Sequence, residues 1–107
     1  MRNAVQPIFE SIEGYVLFGT KQLIGNSFVR RIAALGGGVG TSPAKLVSAL
    51  VNEASAAGAK QLTIVADIVN EQLTNPRILK RFGFTIVKIG ESAIENGIGK
   101  YEITRLL

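Results

Sequence analysis

The segment QLTIVADIV, residues 61–69, constrains the fold more than any other part of the chain. Its nearly continuous run of apolar and β-branched residues is typical of a strand that is covered on both faces. Such strands belong to parallel arrangements, in which neighbouring strands need a long crossover connection, usually a helix. We therefore expect a parallel partner strand earlier in the chain, with a helix between the two.

The preceding sequence supplies both parts of this unit. FVRRIAAL, residues 28–35, is predicted to be the partner strand, and residues 43–57 are predicted to be a long helix. Ser42 stands where an N-cap belongs, Pro43 occupies the first helical position, and Gly58 follows the helix as a C-terminal stop. The apolar face of the helix consists of Leu46, Leu50 and Ala54.

Turn residues divide the rest of the chain into short elements. A β-hairpin is predicted around Gly25-Asn26-Ser27, and a short helix is predicted to begin at Asn75-Pro76 and to end at Gly83. FTIVKIG and KYEITRLL follow as two more strands, while residues 1–13 are predicted to be a short helix or a loop. The fold class is therefore α/β (α+β), one domain over residues 1–107. Its predicted order is β-β-α-β-α-β-β, a mixed, twisted sheet with one long and one short helix.

Composition limits the chemistry that the chain can perform. Cysteine and histidine are both absent, which excludes disulfides, thiol catalysis, zinc sites and mechanisms that need a histidine base. No metal site is predicted. The 12 Lys and Arg residues exceed the 8 Asp and Glu residues by four. Because these basic residues are scattered, they either attract polyanions weakly or only form a solvated surface.

Four glycines fall within positions 36–40, directly before the long helix. Glycines allow backbone N–H groups to converge on an anion, and a helix N-terminus adds a partial positive charge. One interpretation is therefore a phosphate cradle. The alternative is a tight connection without a ligand, in which Thr41 and Ser42 serve as helix caps. The residues that would form the cradle are Gly38, Val39, Gly40, Thr41 and Ser42.

Several polar residues in or near the predicted strands are candidates for a functional role. Asp67 interrupts an apolar strand, so it either faces solvent at a bulge or is buried against a cation. Asn70 either ends that strand as a turn residue or positions a water molecule. Tyr15 and Tyr101 are the two phenols that could donate a proton, and both are predicted to be half-buried. The adjacent residues Arg30 and Arg31 must point to opposite faces of their strand.

Residues 28–107 resemble the C-terminal two-thirds of a GNAT-type N-acetyltransferase. Members of that family run from a strand through a glycine-rich turn into a long helix, and then into a strand that ends in Asn. A short helix and a Gly-Phe pair follow. In this chain the matching parts are FVRRIAAL, the turn Gly38–Thr41, LTIVADIV with Asn70, and NPRILKRFGF with Gly83-Phe84.

The resemblance implies that acetyl-CoA is the cofactor, with its pyrophosphate held by residues 38–42. An acceptor amine would attack the thioester while strand amides stabilise the oxyanion. Leu79 stands where many members carry a tyrosine that protonates the CoA thiolate, and Leu35 replaces a basic residue before the turn. Tyr101, Tyr15 or a bound water would then supply the proton. The candidate catalytic residues are Tyr101, Asn70 and Asp67.

A second hypothesis is a small bacterial toxin or effector domain. Its size, its basic charge and the absence of about 40 residues that usually begin the acetyltransferase domain suit a module of a larger secreted protein. It would act in the cytoplasm on tRNA, aminoacyl-tRNA or other RNA, and an acidic immunity protein would neutralise it. A third hypothesis is a degenerate acetyltransferase fold that only binds proteins. No membrane span is expected, because no run of about 18 apolar residues occurs.

Overall fold

The computed structural model describes residues 5–37, 40, 42–66, 76–91 and 99–107, with side chains except at 76, 78, 87–91, 99 and 100. These residues form six strands and two helices. The strands are β1 (Ile8–Ile12), β2 (Tyr15–Ile24), β3 (Ser27–Gly37), β4 (Gln61–Ala66), β5 (Thr85–Glu91) and β6 (Gly99–Leu106), and the helices are α1 (Pro43–Ala56) and α2 (Pro76–Arg81). The predicted α+β class, with one long and one short helix, is confirmed.

The six strands form one mixed sheet in the order β1-β2-β3-β4-β6-β5. Among the described strands, β3 and β4 are the one parallel pair, in register from Ser27 opposite Gln61 to Ile32 opposite Ala66. Helix α1 is the connection between them. The parallel unit predicted from the sequence is therefore present, although residues 67–69 of its second strand lie outside the described residues.

The prediction of a short helix or a loop over residues 1–13 is wrong, because β1 occupies Ile8–Ile12. β1 pairs antiparallel with β2 through the two-residue turn Glu13-Gly14, whose φ angles of 51° and 80° are both positive. Two positive φ angles are typical of the tight turns that join hairpin strands. The hairpin thus adds a short edge strand to the sheet.

The hydrophobic core lies between one face of the sheet and the two helices. Leu46, Leu50 and Ala54, the predicted apolar face of α1, each have 0% exposure. They pack with strand residues such as Leu62 and Ile103. Residues 62–66 of β4 are buried on both faces, as the apolar run predicted. α2 contributes Leu79, Phe82 packs against the same core, and the core therefore spans both helices.

Candidate functional site

The candidate site lies where the parallel strands end and α1 begins. Described pairing between β3 and β4 stops at Ile32 opposite Ala66, whereas β3 continues for five residues to Gly37. No described residue of β4 pairs with these last residues of β3. The predicted strand FVRRIAAL is thus longer than expected, and the first two glycines of the cluster, Gly36 and Gly37, belong to the strand.

Gly37 and Gly40 belong to the same glycine cluster, but glycine is suited to the two positions for different reasons. Gly37 has φ of 77°, and a Cβ there would lie 2.9 Å from the backbone oxygen of Gly14 in the β1–β2 turn. Glycine at position 37 therefore allows the backbone of β3 to pack closely against the backbone of the β1–β2 turn. Gly40 has φ of 79°, and a Cβ there would meet no described atom within 4 Å beyond its chain neighbours. Glycine adopts this left-handed conformation without strain and lets a ligand approach the backbone closely.

Ser42 is the N-cap of α1. Its backbone is extended, with φ of −111° and ψ of 145°, and its Oγ accepts a hydrogen bond from the Lys45 backbone N–H at 3.3 Å. Pro43 follows at the start of the helix. The cap interpretation of Ser42 is thus confirmed, while a phosphate contact by this residue stays a prediction. The first turn of α1 contains no acidic residue.

Several predicted site residues lie outside the described residues. These are Gly38, Val39, Thr41, Asp67 and Asn70. Their predicted roles stay predictions. Their neighbours in sequence, Gly37, Gly40, Ser42 and Ala66, are described and mark the same end of the parallel pair.

The two tyrosines differ in burial. Tyr101 is half-buried and lies opposite Ala66 in the β4–β6 pair, at the end of the sheet where the candidate site lies. Tyr15 was expected to be half-buried, but this is wrong, since it is only 1% exposed. It lies between Ile12 of β1 and Gly37 of β3, so the unpredicted strand makes it an interior residue. Its hydroxyl has no hydrogen-bond partner among the described residues.

The adjacent arginines of β3 point to opposite faces, as predicted. Arg30 is 3% exposed on the face covered by α1, and Arg31 is exposed on the other face. Arg30 belongs to a group of four charged side chains, which we call the ion cluster. The sequence analysis did not predict this group. The ion cluster consists of Glu10, Lys21, Arg30 and Glu53.

The ion cluster joins three strands to α1 by alternating charges. Arg30 donates from Nη2 to Glu53 Oε1 at 2.6 Å and to Glu10 Oε2 at 3.1 Å. Lys21 donates from Nζ to Glu53 Oε2 at 2.8 Å and to Glu10 Oε2 at 3.0 Å. Two positive and two negative groups balance, so the ion cluster holds the sheet to the helix and is poorly suited to bind another anion.

The pairing within the ion cluster changes two pKa values. Burial raises the pKa of the Glu10 carboxyl, but hydrogen bonds and charges from Lys21 and Arg30 outweigh it and leave the pKa below its ordinary value of 4.5. The hydrogen bond to Glu53 raises the pKa of Lys21 above its ordinary 10.5, against a smaller opposing effect of burial. Both residues are therefore charged at neutral pH.

Sequence reasoning missed the ion cluster because its members come from four separate elements. The one local signal is Glu53, which stands three residues after Leu50 and next to Ala54 on the apolar face of α1. A carboxylate at the edge of a buried helical face needs a cation from the surface that it packs against. The sequence does not identify which cation this is.

Comparisons of the chain with models of protein families, with curated proteins and with solved structures find no match. Within the described ranges, no helix is long and apolar enough to cross a membrane. The same residues contain no group of three acidic side chains that could hold a metal ion.

Proposed function

We propose that this domain binds acetyl-CoA at the end of the β3–β4 pair and transfers the acetyl group to an amine. The observation that carries the proposal is the parallel pairing of β3 with β4 across α1. An antiparallel pair, or strands that were not neighbours, would have removed the resemblance to GNAT-type acetyltransferases. In open α/β sheets, ligands bind in the crevice at the carboxyl ends of parallel strands.

The N-terminus of α1 favours an anion such as the pyrophosphate of CoA. Backbone N–H groups and the helix dipole attract negative charge at this end of a helix. The absence of an acidic residue in the first turn means that no carboxylate of α1 competes for that charge. Gly40 itself contributes no side chain, and a Cβ at this position would meet no described atom within 4 Å beyond its chain neighbours.

Tyr101 is the proton donor that the described residues support best. Transfer needs the acceptor nitrogen to attack the thioester carbonyl carbon, after which the C–S bond breaks and the thiolate takes a proton from the phenol. The acceptor nitrogen loses one proton as the amide forms, and that proton restores the phenol. Tyr101 lies beside Ala66 at the same end of the sheet and is half-buried. Tyr15 is enclosed in the core, so it is the poorer candidate. Asp67 and Asn70 follow Ala66 in sequence and remain candidate catalytic residues, Asn70 as a group that positions a water molecule.

A thiol-release assay tests this activity directly. Because the chain has no cysteine, a thiol-reactive dye responds only to the CoA that leaves the thioester. Acetyl-CoA and the domain are incubated together with one acceptor at a time: a polyamine, a lysine peptide or an aminoacyl-tRNA. CoA release above the rate without protein, lowered about 100-fold or more in Tyr101→Phe, supports the proposal. Release at the background rate with every acceptor contradicts catalysis.

A further inference from the structure

A cavity lies on the face of the sheet opposite the helices. Its volume is about 240 Å³. Because side chains alternate along a strand, the neighbours of the core residues Leu17 and Ile64 project to this other face. The cavity is lined by Pro7, Phe18, Thr20, Arg31, Ala33 and Val65, among others. The described helices contribute Leu46, Leu50 and Leu79 to the core on the opposite face.

A β-bulge creates the space. β2 and β3 pair at Gly19 with Ile32 and next at Phe18 with Ala34, so Ala33 is an extra residue on β3. A Cβ at Gly19 would overlap the backbone oxygen of Arg31, so only glycine permits this approach of the two strands. The small side chain of the extra residue Ala33 leaves a hollow beside the larger side chain of Phe18.

Most of the side chains that line the cavity are apolar. The Phe18 ring contacts the Phe9 ring, with a centroid separation of 4.5 Å and an interplanar angle of 41°. Val65, on the central strand β4, is only 7% exposed. An aromatic ring and aliphatic side chains are the surfaces that usually hold the apolar body of a ligand.

One cation, Arg31, lines this apolar space, and its side chain has no partner among the described residues. The Arg31 side chain is exposed and makes no ion pair or hydrogen bond within the part of the chain that the structure describes, whereas the Arg30 side chain on the other face is bound by Glu10 and Glu53. A guanidinium group forms paired hydrogen bonds with a carboxylate. Thr20, also at the cavity, adds a hydroxyl that can donate or accept.

We propose that this cavity binds a small apolar molecule that carries one carboxylate. The carboxylate lies on Arg31, and the apolar body lies against Phe18, Ala33 and Val65. A cavity of about 150 Å³ is enough for a benzene molecule. The larger volume here therefore accepts a six-membered ring with a short acidic side chain. This site is on the other face from α1 and does not depend on acetyl-CoA binding.

The probe is phenylacetate, and its neutral analogue phenylacetamide is the matched control ligand. We expect phenylacetate to shift the backbone amide signals of residues 18–20 and 31–33 in a saturable titration by NMR. Phenylacetamide has nearly the same shape and no charge, so it should bind about tenfold more weakly. Equal binding of the two compounds, or shifts located elsewhere, would overturn the proposal. No shift at millimolar phenylacetate would overturn it as well.

Two variants test the assignment to Arg31. Arg31→Gln should weaken phenylacetate binding about tenfold, whereas Lys60→Gln, which removes the same charge at an exposed position away from the cavity, should not. Ala33→Leu fills the hollow and should abolish phenylacetate binding. A cooperative melting curve checks that this variant is still folded. Unchanged binding in either Arg31→Gln or a folded Ala33→Leu variant would overturn the site. Acetyl-CoA titrations of the same variants report separately on the proposed function.

Discussion

Nη2 of Arg30, in the middle of the sheet, lies 2.6 Å from Oε1 of Glu53 on α1. This contact links the strand that precedes the glycine cluster to the helix that follows it. The Arg30 side chain is 4% exposed, so its positive charge is stabilised by Glu53 and Glu10 instead of by water. The ion cluster therefore fixes the position of α1 over the β3–β4 pair.

Replacing Arg30 by methionine should lower the free energy of unfolding by about 3 kcal/mol. Removing one partner of a buried pair leaves uncompensated charge, and the lower end of the usual range applies because Glu53 keeps 30% exposure. Arg31→Met is the matched control on the adjacent exposed residue and should change stability by less than about 0.5 kcal/mol. Urea denaturation measures both. Equal losses in the two variants would contradict the role of the ion cluster.

Stability should fall on acidification, and Glu10 should contribute to that fall. Its pKa is lower in the folded chain than its ordinary 4.5, so the folded state favours the carboxylate. The stabilisation is complete above the unfolded pKa and is lost as the pH falls through the folded value. In Glu10→Gln the urea midpoint should be lower at neutral pH and should depend less on pH in the acid range. An acid limb as steep as that of wild type would contradict this assignment.

The opposite sign applies to Lys21. Its folded pKa is raised, so its stabilisation is present below the ordinary value of 10.5 and is lost as the pH rises through the folded value. Lys21→Met should therefore reduce the alkaline fall of the urea midpoint. If the urea midpoint of Lys21→Met fell at alkaline pH as steeply as that of wild type, Lys21 would not contribute to this fall.

Leu50→Ala should cost about 2–5 kcal/mol, because Leu50 has 0% exposure in the centre of the face that α1 packs on the sheet. Asn52→Ala, at an exposed position of the same helix, is the control and should change stability by less than about 0.5 kcal/mol. Chemical denaturation measures both. A loss below about 1 kcal/mol for Leu50→Ala would contradict the core assignment.

Gly37→Ala should destabilise the chain by about 1–3 kcal/mol, since its φ of 77° disfavours a side chain and the new Cβ would meet the Gly14 oxygen. Gly36→Ala is the control, because Gly36 has open space around it and no left-handed φ. It should have nearly wild-type stability. Similar melting temperatures for the two variants would show that Gly37 is not needed for the close packing.

The part of the fold that local sequence signals determine could be predicted. The cap at Ser42, the apolar face through Leu50 and the doubly buried residues of β4 each reside within one segment. Together they required a parallel pair with a helical crossover. The described part of the candidate site follows from this unit, because it lies at the end of the strands and the start of the helix.

The rest depends on pairings between distant segments. β1 has only five residues, and its hairpin turn, Glu13-Gly14, lacks the Asn-Gly or Asp-Gly signal that usually marks such turns. Without β1, neither the full burial of Tyr15 nor the place of Glu10 could be predicted. The bulge beside Gly19 is likewise a property of two strands together, so the cavity at Arg31 could not be inferred from either strand alone.

Calorimetric titration with acetyl-CoA tests the proposed function most directly when two glycine variants are compared. Gly40 and Gly58 have the same φ of 79°, and a Cβ at either would meet no described atom within 4 Å beyond its chain neighbours, but they stand at opposite ends of α1. Valine at either position therefore imposes similar backbone strain. We predict micromolar binding by wild type and by Gly58→Val, and no binding by a folded Gly40→Val. No heat from wild type at millimolar acetyl-CoA, or unchanged binding by Gly40→Val, would contradict the proposed acetyl-CoA site.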